Sequence, residues 1–251
     1  MFKKMYLKRM FHMSLWMGFM GVGSAWANGL QVAPTSVTIS SAKPAGELWI
    51  SHTSQTDFKK PMHAQIRVFA WSQDKGQDLL HPTKAMVVTP PLMTIEGTVP
   101  QLVRVLALPE ALSQVQTEQA YRLIVDEIPD QHESSGGLSF VMHYSIPVFI
   151  TPQTPAHPFD PATLVFTWVH KSGQNFLEVT NPTSFHAQLV HVQAQLGSTT
   201  ETLSDGLMGY VLPEQTMRFQ TSLSVAKQRQ ITHLTVRING QEEHVSVGFE
   251  P

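Results

Sequence analysis

The order of hydrophobic and polar residues along this 251-residue chain predicts β-strands almost throughout. Segments rich in Val, Ile, Thr and aromatic residues alternate with short polar turns, which is typical of all-β domains. The strands predicted in the first half are Leu30–Ser40, Glu47–Thr53, Met62–Trp71, Lys84–Val88, Gln101–Ala107, Gln119–Asp126 and Gly137–Thr151. Those predicted in the second half are Leu164–His170, Asn175–Thr180, Ala187–Leu196, Met208–Leu212, Met217–Ser222, Ile231–Ile238 and His244–Phe249. The one helix that the pattern predicts is Glu110–Gln116, directly after Pro109.

A proline-rich segment separates the two series of strands. Pro152, Pro155, Pro158 and Pro161 fall within Thr151–Pro161, which predicts a stiff, extended connection. About seven short strands on either side indicate two immunoglobulin-like β-sandwiches. The predicted organisation is a signal peptide at 1–27, a first domain at 28–152, a linker at 153–161 and a second domain at 162–251.

The strand Gly137–Thr151 is unusual because it is long and one of its faces is entirely apolar. Alternate residues of a strand share a face. Here that face carries Leu138, Phe140, Met142, Tyr144, Ile146, Val148 and Ile150. Pro147 has no N–H for a ladder, which favours an edge or a bulge. The pattern leaves two interpretations open: a core strand of a sandwich, or an exposed apolar edge that pairs with a partner chain.

The amino terminus has the features of a cleaved secretory signal peptide. A basic head is followed by the apolar run Phe11–Ala25 and by Ala25-Trp26-Ala27, an A-x-A cleavage signal. The alternative is a membrane anchor, but the apolar run is short for a span of about 20 residues. Cleavage would leave 13 Lys+Arg against 19 Asp+Glu, a net charge of −6, and no other apolar run predicts insertion into a membrane.

Composition and motifs argue against several classes of protein. The acidic balance argues against a nucleic-acid binder, and the absence of cysteine excludes disulfides, thiol catalysis and Cys-ligated zinc. Ser40–Lys43 fits S-x-x-K, but Pro44-Ala45-Gly46 predicts a turn where the enzyme motif needs a helix. The 12 histidines are scattered without metal-ligand spacing. We expect no catalytic residues, no metal and no cofactor.

Several motifs of the first half together resemble the first domain of the PapD-like periplasmic pilus chaperones. These motifs are Thr89-Pro90-Pro91, Val103-Arg104-Val105, Tyr121-Arg122-Leu123, Glu127-Ile128-Pro129 and the long strand that ends at Pro147-Val-Phe-Ile-Thr-Pro152. The resemblance spans about Leu30 to Pro152. In the second half, Asn181-Pro182-Thr183 resembles a turn of the family's second domain.

The resemblance implies two immunoglobulin-like domains arranged in an L and a chaperone without enzymatic activity. Such a chaperone binds and folds pilin subunits in the periplasm by donating an edge strand that completes the pilin sandwich, and then delivers them to an outer-membrane usher. The donor residues carried over by the resemblance are Leu138, Phe140, Met142, Tyr144 and Ile146. The first strand, with Val32, Pro34 and Val37, is expected to border the cleft. The apolar edge also predicts self-association, or a closed loop, in the free protein.

The sequence departs from the better-known family members at the positions that bind the pilin carboxylate. The usual Arg and Lys correspond to Ser36 and Pro147, and Tyr144–Phe149 instead resembles the archaic branch of chaperone–usher systems. We therefore expect a relocated cationic anchor at Arg104, Arg122 or His143. The family's interdomain ion network would retain only Glu127, because no Arg lies near Thr151.

A second hypothesis is that the chain is itself a two-domain surface adhesin or a structural pilus subunit. A pilin should carry an alternating extension at its amino terminus and lack its last strand. Here the long alternating strand lies mid-chain, before a second domain, which favours the chaperone.

Overall fold

The computed structural model describes residues 29–52, 61–113, 115–129 and 141–250. The strands of the first half are β1 (Leu30–Ala33), β2 (Val37–Ile39), β3 (Ala45–His52), β4 (Met62–Asp74), β5 (Gln77–Pro82), β6 (Met86–Thr89), β7 (Leu92–Ile95), β8 (Gln101–Ala107), β9 (Gln119–Ile128) and β10 (His143–Ile150). Those of the second half are β11 (Val165–Lys171), β12 (Gln174–Asn181), β13 (Ala187–Leu196), β14 (Thr199–Val211), β15 (Gln215–Thr221), β16 (Ile231–Ile238), β17 (Gln241–Val245) and β18 (Val247–Phe249). Two short helices, α1 (Pro109–Leu112) and α2 (Val225–Gln228), complete the elements together with a 3-10 turn at Pro161–Thr163.

The first ten strands form a two-layer sandwich. One sheet has the order β1-β3-β8-β6, and the other has the order β2-β10-β9-β4-β5, with β7 also paired to β4. The inward residues of both sheets alternate with outward ones, so a single apolar core lies between them. Ile39, Leu48, Ile66, Leu123 and Ile150 are almost fully buried in that core.

The last eight strands form a second sandwich with its own core. Its sheets have the orders β15-β12-β11-β18 and β14-β13-β16-β17. Leu177, Leu189 and Leu234 are almost fully buried between them. Two sandwiches with separate apolar cores confirm the predicted all-β class with two immunoglobulin-like halves. Within the parts of the chain that the structure describes, no helix combines the length and the apolar character needed to span a bilayer.

A third, smaller apolar cluster joins the two sandwiches. It contains Trp71 of β4, Phe149 of β10, and Tyr210 and Leu212 at the end of β14. Beside it, the Glu118 carboxylate accepts a hydrogen bond from the backbone N–H of His186 at 2.9 Å, and it lies 2.6 Å from Nδ1 of the same residue's ring. We call this contact region the joint.

Several elements differ from the sequence prediction. The predicted helix Glu110–Gln116 is shorter in the structure, where α1 comprises only the four residues Pro109–Leu112. It ends there because Ser113 already has extended backbone angles. The predicted strand Met208–Leu212 is the end of the much longer β14, and His244–Phe249 is divided between β17 and β18, which belong to different sheets. Strands β5 and β7 were not predicted.

Candidate functional site

Strand β10 has two strand neighbours along its second half but only one along its first half. It pairs antiparallel with β9 from His143 to Ile150. On its other side, β2 pairs with it in parallel at Val148–Ile150. Within the described residues, the segment His143–Pro147 therefore has no strand on that side, and we call this segment the open edge.

The hydrogen bonds at both ends of β10 establish which backbone groups face outward at the open edge. The Glu127 N–H donates to the Met142 carbonyl at 3.0 Å, and the Thr151 N–H donates to the Ile39 carbonyl of β2 at 2.9 Å. Antiparallel ladders alternate between bonded and non-bonded pairs, so even-numbered residues of β10 bond to β9. His143 and Ser145 consequently turn both N–H and C=O away from β9, whereas Pro147 can offer only its carbonyl.

The side chains of the predicted donor row share one face of β10, and their burial decreases toward the open edge. Ile146 and Val148 lie in the first core, at 5% and 0% exposed. Met142 and Tyr144 are half-buried and pack against that core from its rim. Leu138 and Phe140, the other two predicted donor residues, lie outside the described residues. The described part of the row is therefore continuous with the core, and its side chains become more exposed from Val148 toward Met142.

Two side-chain hydrogen bonds hold the start of β10 in place. The Glu127 carboxylate accepts from the Met142 N–H at 2.9 Å, and the Tyr144 hydroxyl donates to the Leu30 carbonyl of β1. Burial, together with the nearby Glu127 carboxylate, raises the pKa of Tyr144, so its hydroxyl remains a donor. The Glu127 carboxylate thus lies beside Met142 and not at the joint, and among the described residues it forms no interdomain ion pair.

The predicted first strand approaches β10 at two places: the Leu30 carbonyl of β1 accepts from the Tyr144 hydroxyl, and β2 pairs with β10 at Val148–Ile150. Val32 of β1 is half-buried, and Pro34 is exposed in the crossover between β1 and β2. Val37 lies opposite Val148 in the ladder, and its side chain is 5% exposed within the core. Val37 thus marks where the open edge ends, while its side chain faces the interior.

The outer face of the β9–β10 sheet carries a small charged network near the start of the open edge. Asp126 lies 2.6 Å from Nη2 of Arg67 and 2.5 Å from Nδ1 of His143 through its two oxygens. Burial alone would raise the pKa of the Asp126 carboxyl, but the hydrogen bonds from Arg67 and His143 outweigh it and lower that pKa. The side chains of Arg67 and His143 are therefore both already engaged by one carboxylate.

Arg122 lies farther along the same face, opposite Pro147 in the ladder. Its guanidinium carbon is 3.6 Å from the centroid of the Trp71 ring and 5.3 Å from that of Tyr210. Nη1 lies 3.5 Å from the Ser145 carbonyl oxygen. Burial lowers the pKa of Arg122, although Asp78 and Tyr210 act in the opposite direction, and arginine remains a cation at neutral pH. Among the described residues, no carboxylate forms an ion pair with it.

Arg104, another predicted anchor, belongs to the opposite sheet. It is an exposed residue of β8, between Glu47 of β3 and Thr89 of β6 in the ladder. The structure therefore brings Arg122 and His143 onto the sheet face that contains the donor strand, and it places Arg104 across the sandwich from them.

The described residues contain no cluster of three or more His, Asp or Glu side chains that could hold a metal ion. His186 and His191, which the sequence presents five residues apart, have different roles. The His186 ring stacks on Phe149 at 3.7 Å between centroids, whereas His191 is a bulge residue of β13 with a positive φ. The Ser40–Lys43 segment is a tight turn closed by two backbone hydrogen bonds of 3.0 Å, so it does not form the helix that the enzyme motif requires.

The contacts of Arg122 with both halves of the molecule are not apparent in the sequence. Trp71 and Tyr210 come from different sandwiches, and nothing in the local alternation of either strand indicates that they meet. The one local signal is Ala120, a small residue on the outward face of β9 opposite Phe149, which leaves room for large rings on either side.

Comparison with family models identifies both halves of the chain. Residues 29–156 match the model described as the pili and flagellar-assembly chaperone, PapD N-terminal domain. Residues 161–244 match the model of the pili assembly chaperone PapD, C-terminal domain. No curated protein sequence matches the chain.

Three solved structures with the same fold are each less than 25% identical to this chain in sequence. A chain of the CsuC–CsuE complex, a chaperone and tip adhesion subunit of archaic chaperone-usher Csu pili from Acinetobacter baumannii, is 23% identical, with a TM-score of 0.64 over 88% of this chain and 99% of that one. The CupB2 chaperone of Pseudomonas aeruginosa is 19% identical, with a TM-score of 0.59 over 87% and 100%. A chain of the SafA pilin–SafB chaperone complex of Salmonella enterica is 19% identical, with a TM-score of 0.59 over 89% and 96%.

Proposed function

Because this chain belongs to the PapD family of pilus-assembly chaperones, we propose that its open edge donates a strand to a pilin subunit. The chain is an assembly chaperone and not an enzyme. The observation that carries the proposal is the open edge itself: His143 and Ser145 turn outward backbone groups that no strand of the described residues pairs with, beside the half-buried side chains of Met142 and Tyr144. Two structures with the same fold come from complexes of a chaperone with a pilus subunit, which supports this reading.

Strand donation has two physical components at this edge. The outward N–H and C=O groups can extend the sheet, each hydrogen bond contributing about 0.5–1.5 kcal/mol net. Met142 and Tyr144 can fill an apolar groove, and completing the burial of such a side chain contributes up to about 1.5–3 kcal/mol before association costs. Leu138 and Phe140 extend the same row in the proposal.

Arg122 is the residue we propose as the anchor for the pilin carboxylate. It is a half-buried cation beside Pro147, at the position where better-known members use a Lys, and its planar guanidinium suits bidentate capture of a carboxylate. His143 is a weaker candidate because Asp126 already engages it at 2.5 Å. Arg104 lies on the opposite sheet, away from the donor strand.

The remaining parts of the proposal concern location and further partners. Chaperones of this family are periplasmic, and we propose that residues 1–27 are the cleaved signal peptide that directs the chain there. We further propose that an outer-membrane usher receives the complex, and that the free protein covers its open edge by self-association, since bare apolar edges are adhesive.

Substitution at Met142 tests strand donation directly. The subunit that copurifies with the wild-type chain from periplasm is identified by mass spectrometry and then coexpressed with variants. Met142→Glu puts a carboxylate into the apolar groove, so the subunit should no longer copurify and should be degraded or aggregate.

Val141→Glu is the matched control for this experiment. Val141 is 50% exposed and precedes Met142, so it carries the same new charge on the other face of the strand. This variant should retain most of the subunit. Equal subunit yield with Met142→Glu, Val141→Glu and the wild type, all folded by circular dichroism, would refute strand donation by β10.

A further inference from the structure

The joint between the two sandwiches contains a side-chain amide that takes the place of a peptide group. Oε1 of Gln73 accepts a hydrogen bond from the Leu212 N–H at 2.8 Å, and its Nε2 donates to the Tyr210 carbonyl at 2.9 Å. Gln73 belongs to β4 of the first sandwich. The Tyr210 carbonyl belongs to the end of β14 in the second sandwich, and the Leu212 N–H belongs to the residue directly after it. This one side-chain amide therefore hydrogen-bonds to the backbone groups that flank Val211 on both sides, as a peptide group of a neighbouring strand would.

Asp78 orients two of the residues of the first sandwich that contact the second, Gln73 and Trp71. Its Oδ1 accepts from Nε2 of Gln73 at 2.9 Å and from Nε1 of Trp71 at 2.8 Å. Gln73 is only 6% exposed, and no buried side-chain polar atom among the described residues lacks a partner. A buried and fully satisfied network of this kind favours one geometry, because breaking any member leaves a desolvated group unpaired.

Tyr210 is fixed by this network on its backbone and by ring contacts on its side chain. Its ring packs edge-on against Trp71 at 5.5 Å between centroids, and its hydroxyl accepts a hydrogen bond from Gln188 at 2.8 Å. The Arg122 guanidinium lies against both rings, at 3.6 Å from Trp71 and 5.3 Å from Tyr210. Each sandwich thus provides one of the two aromatic rings that contact this cation.

We infer that the joint positions the Arg122 guanidinium for carboxylate capture, with Gln73, Asp78 and Tyr210 as positioning residues. This inference rests on the proposed role of Arg122 as the anchor. A long arginine side chain loses much rotamer freedom when it binds, and the two rings restrict it before the ligand arrives. Tyr210 comes from the second sandwich, whereas Arg122 belongs to the first. Strong binding of the carboxylate by Arg122 therefore requires that the second sandwich is correctly docked.

The test uses a peptide of the C-terminal strand of the copurifying subunit, prepared as the free acid and as the C-terminal amide. The ratio of the two dissociation constants isolates recognition of the carboxylate. A hydrogen bond to a charged group contributes about 1.5–3 kcal/mol, so the wild type should prefer the acid by about tenfold or more. Arg122→Ala should abolish this preference.

Tyr210→Leu and Gln73→Met should each reduce the preference to about twofold, while binding of the amide peptide stays close to that of the wild type. Tyr210→Phe keeps the ring and should retain the preference. Gln101→Met is the control for loss of a side-chain amide, because Gln101 donates to the Thr94 carbonyl at 3.1 Å on another part of the first sandwich. The NMR resonance of the Arg122 Nε–H group should shift in Tyr210→Leu and Gln73→Met but not in Gln101→Met.

The outcomes separate the two ideas. If Arg122→Ala abolishes the preference while Tyr210→Leu and Gln73→Met keep it at the wild-type value, the positioning role is refuted and the anchor remains. If Arg122→Ala itself keeps the preference for the acid, the anchor is refuted and the positioning role with it. Should Gln73→Met not fold, the contrast between Tyr210→Leu and Tyr210→Phe decides the question alone.

Discussion

The two halves of β10 have the same alternation of side chains but opposite surroundings. From Val148 to Ile150 the strand lies between β9 and β2, and Phe149 on its outer face belongs to the joint. From His143 to Pro147 only β9 is present among the described residues, and Met142 and Tyr144 are half-buried. One strand is thus enclosed in its sheet at one end and open along one side at the other, where we propose that it binds a pilin, and the difference lies in its neighbours.

The core interpretation of this strand holds for its second half. Its first half has the open edge that the other interpretation requires, and pairing of that edge with a partner chain stays a prediction. Because β2 ends the open edge at Val148, substitutions in the second half should affect mainly stability, and those in the first half should affect mainly subunit binding. Three experiments test this contrast.

The largest effect is expected for Ile150→Ala in the closed half. Ile150 is fully buried in the first core, and truncation of such a residue to Ala costs about 2–5 kcal/mol. Urea denaturation should show this loss, while subunit bound per folded molecule stays near the wild-type value. A loss below about 1 kcal/mol would mean that the closed half is not integral to the core.

Proline substitutions distinguish the backbone N–H groups of β10 that face the open edge from those that bond to β9. Ser145→Pro removes an N–H that faces the open edge, so subunit affinity should fall about tenfold while the free energy of unfolding changes by less than about 1 kcal/mol. Ser145→Ala serves as the control and should bind normally.

The counterpart is Tyr144→Pro, which removes an N–H bonded to β9 and should lower stability by about 3 kcal/mol or more. If the two proline variants showed the same loss of stability, the assignment of even residues to β9 would be wrong.

The smallest effect is expected at Asp126, on the outer face of the open half. Its pKa is lowered in the folded state, so its stabilising effect is fully present above the unfolded value of about 3.9 and disappears as the pH falls through the folded value. Because Arg67 and His143 are exposed, Asp126→Asn should cost only about 0.5–1 kcal/mol at pH 7.

Urea denaturation at neutral and strongly acidic pH checks this prediction. The difference between Asp126→Asn and the wild type should shrink toward zero below the folded pKa. A difference that stayed constant across the acid range would mean that the Asp126 charge does not contribute to stability.

Strands with clear alternation and polar turns at both ends were predicted with the correct bounds. This holds for β8, β13 and β16, which the structure has at Gln101–Ala107, Ala187–Leu196 and Ile231–Ile238. β5 was missed because all six of its residues are exposed, so it has no hydrophobic period. β7 was missed because it has four residues and directly follows Pro90-Pro91.

The candidate site was predictable to the extent that it is local. The row Met142, Tyr144 and Ile146 follows from the period of a strand. The structure has Tyr144 and Ile146 on the inner face of β10, and Met142, directly before the strand, packs against the same core. The surroundings of Arg122 were not predictable, because they depend on how two separately folded sandwiches meet. The resemblance left Glu127 without the Arg partner of the family's ion network, and the structure gives this carboxylate a local role at the Met142 N–H.

Ala120 has a consequence for how this molecule could be altered. It lies opposite Phe149 in the ladder and packs against the cluster of Trp71, Phe149, Tyr210 and Leu212. Its single methyl group sets the clearance available to these rings. A bulkier residue here would collide with these rings, and we expect it to change the tilt of one sandwich against the other while both interiors stay packed. The packing of the two sandwiches against each other should therefore respond to the volume of a single side chain.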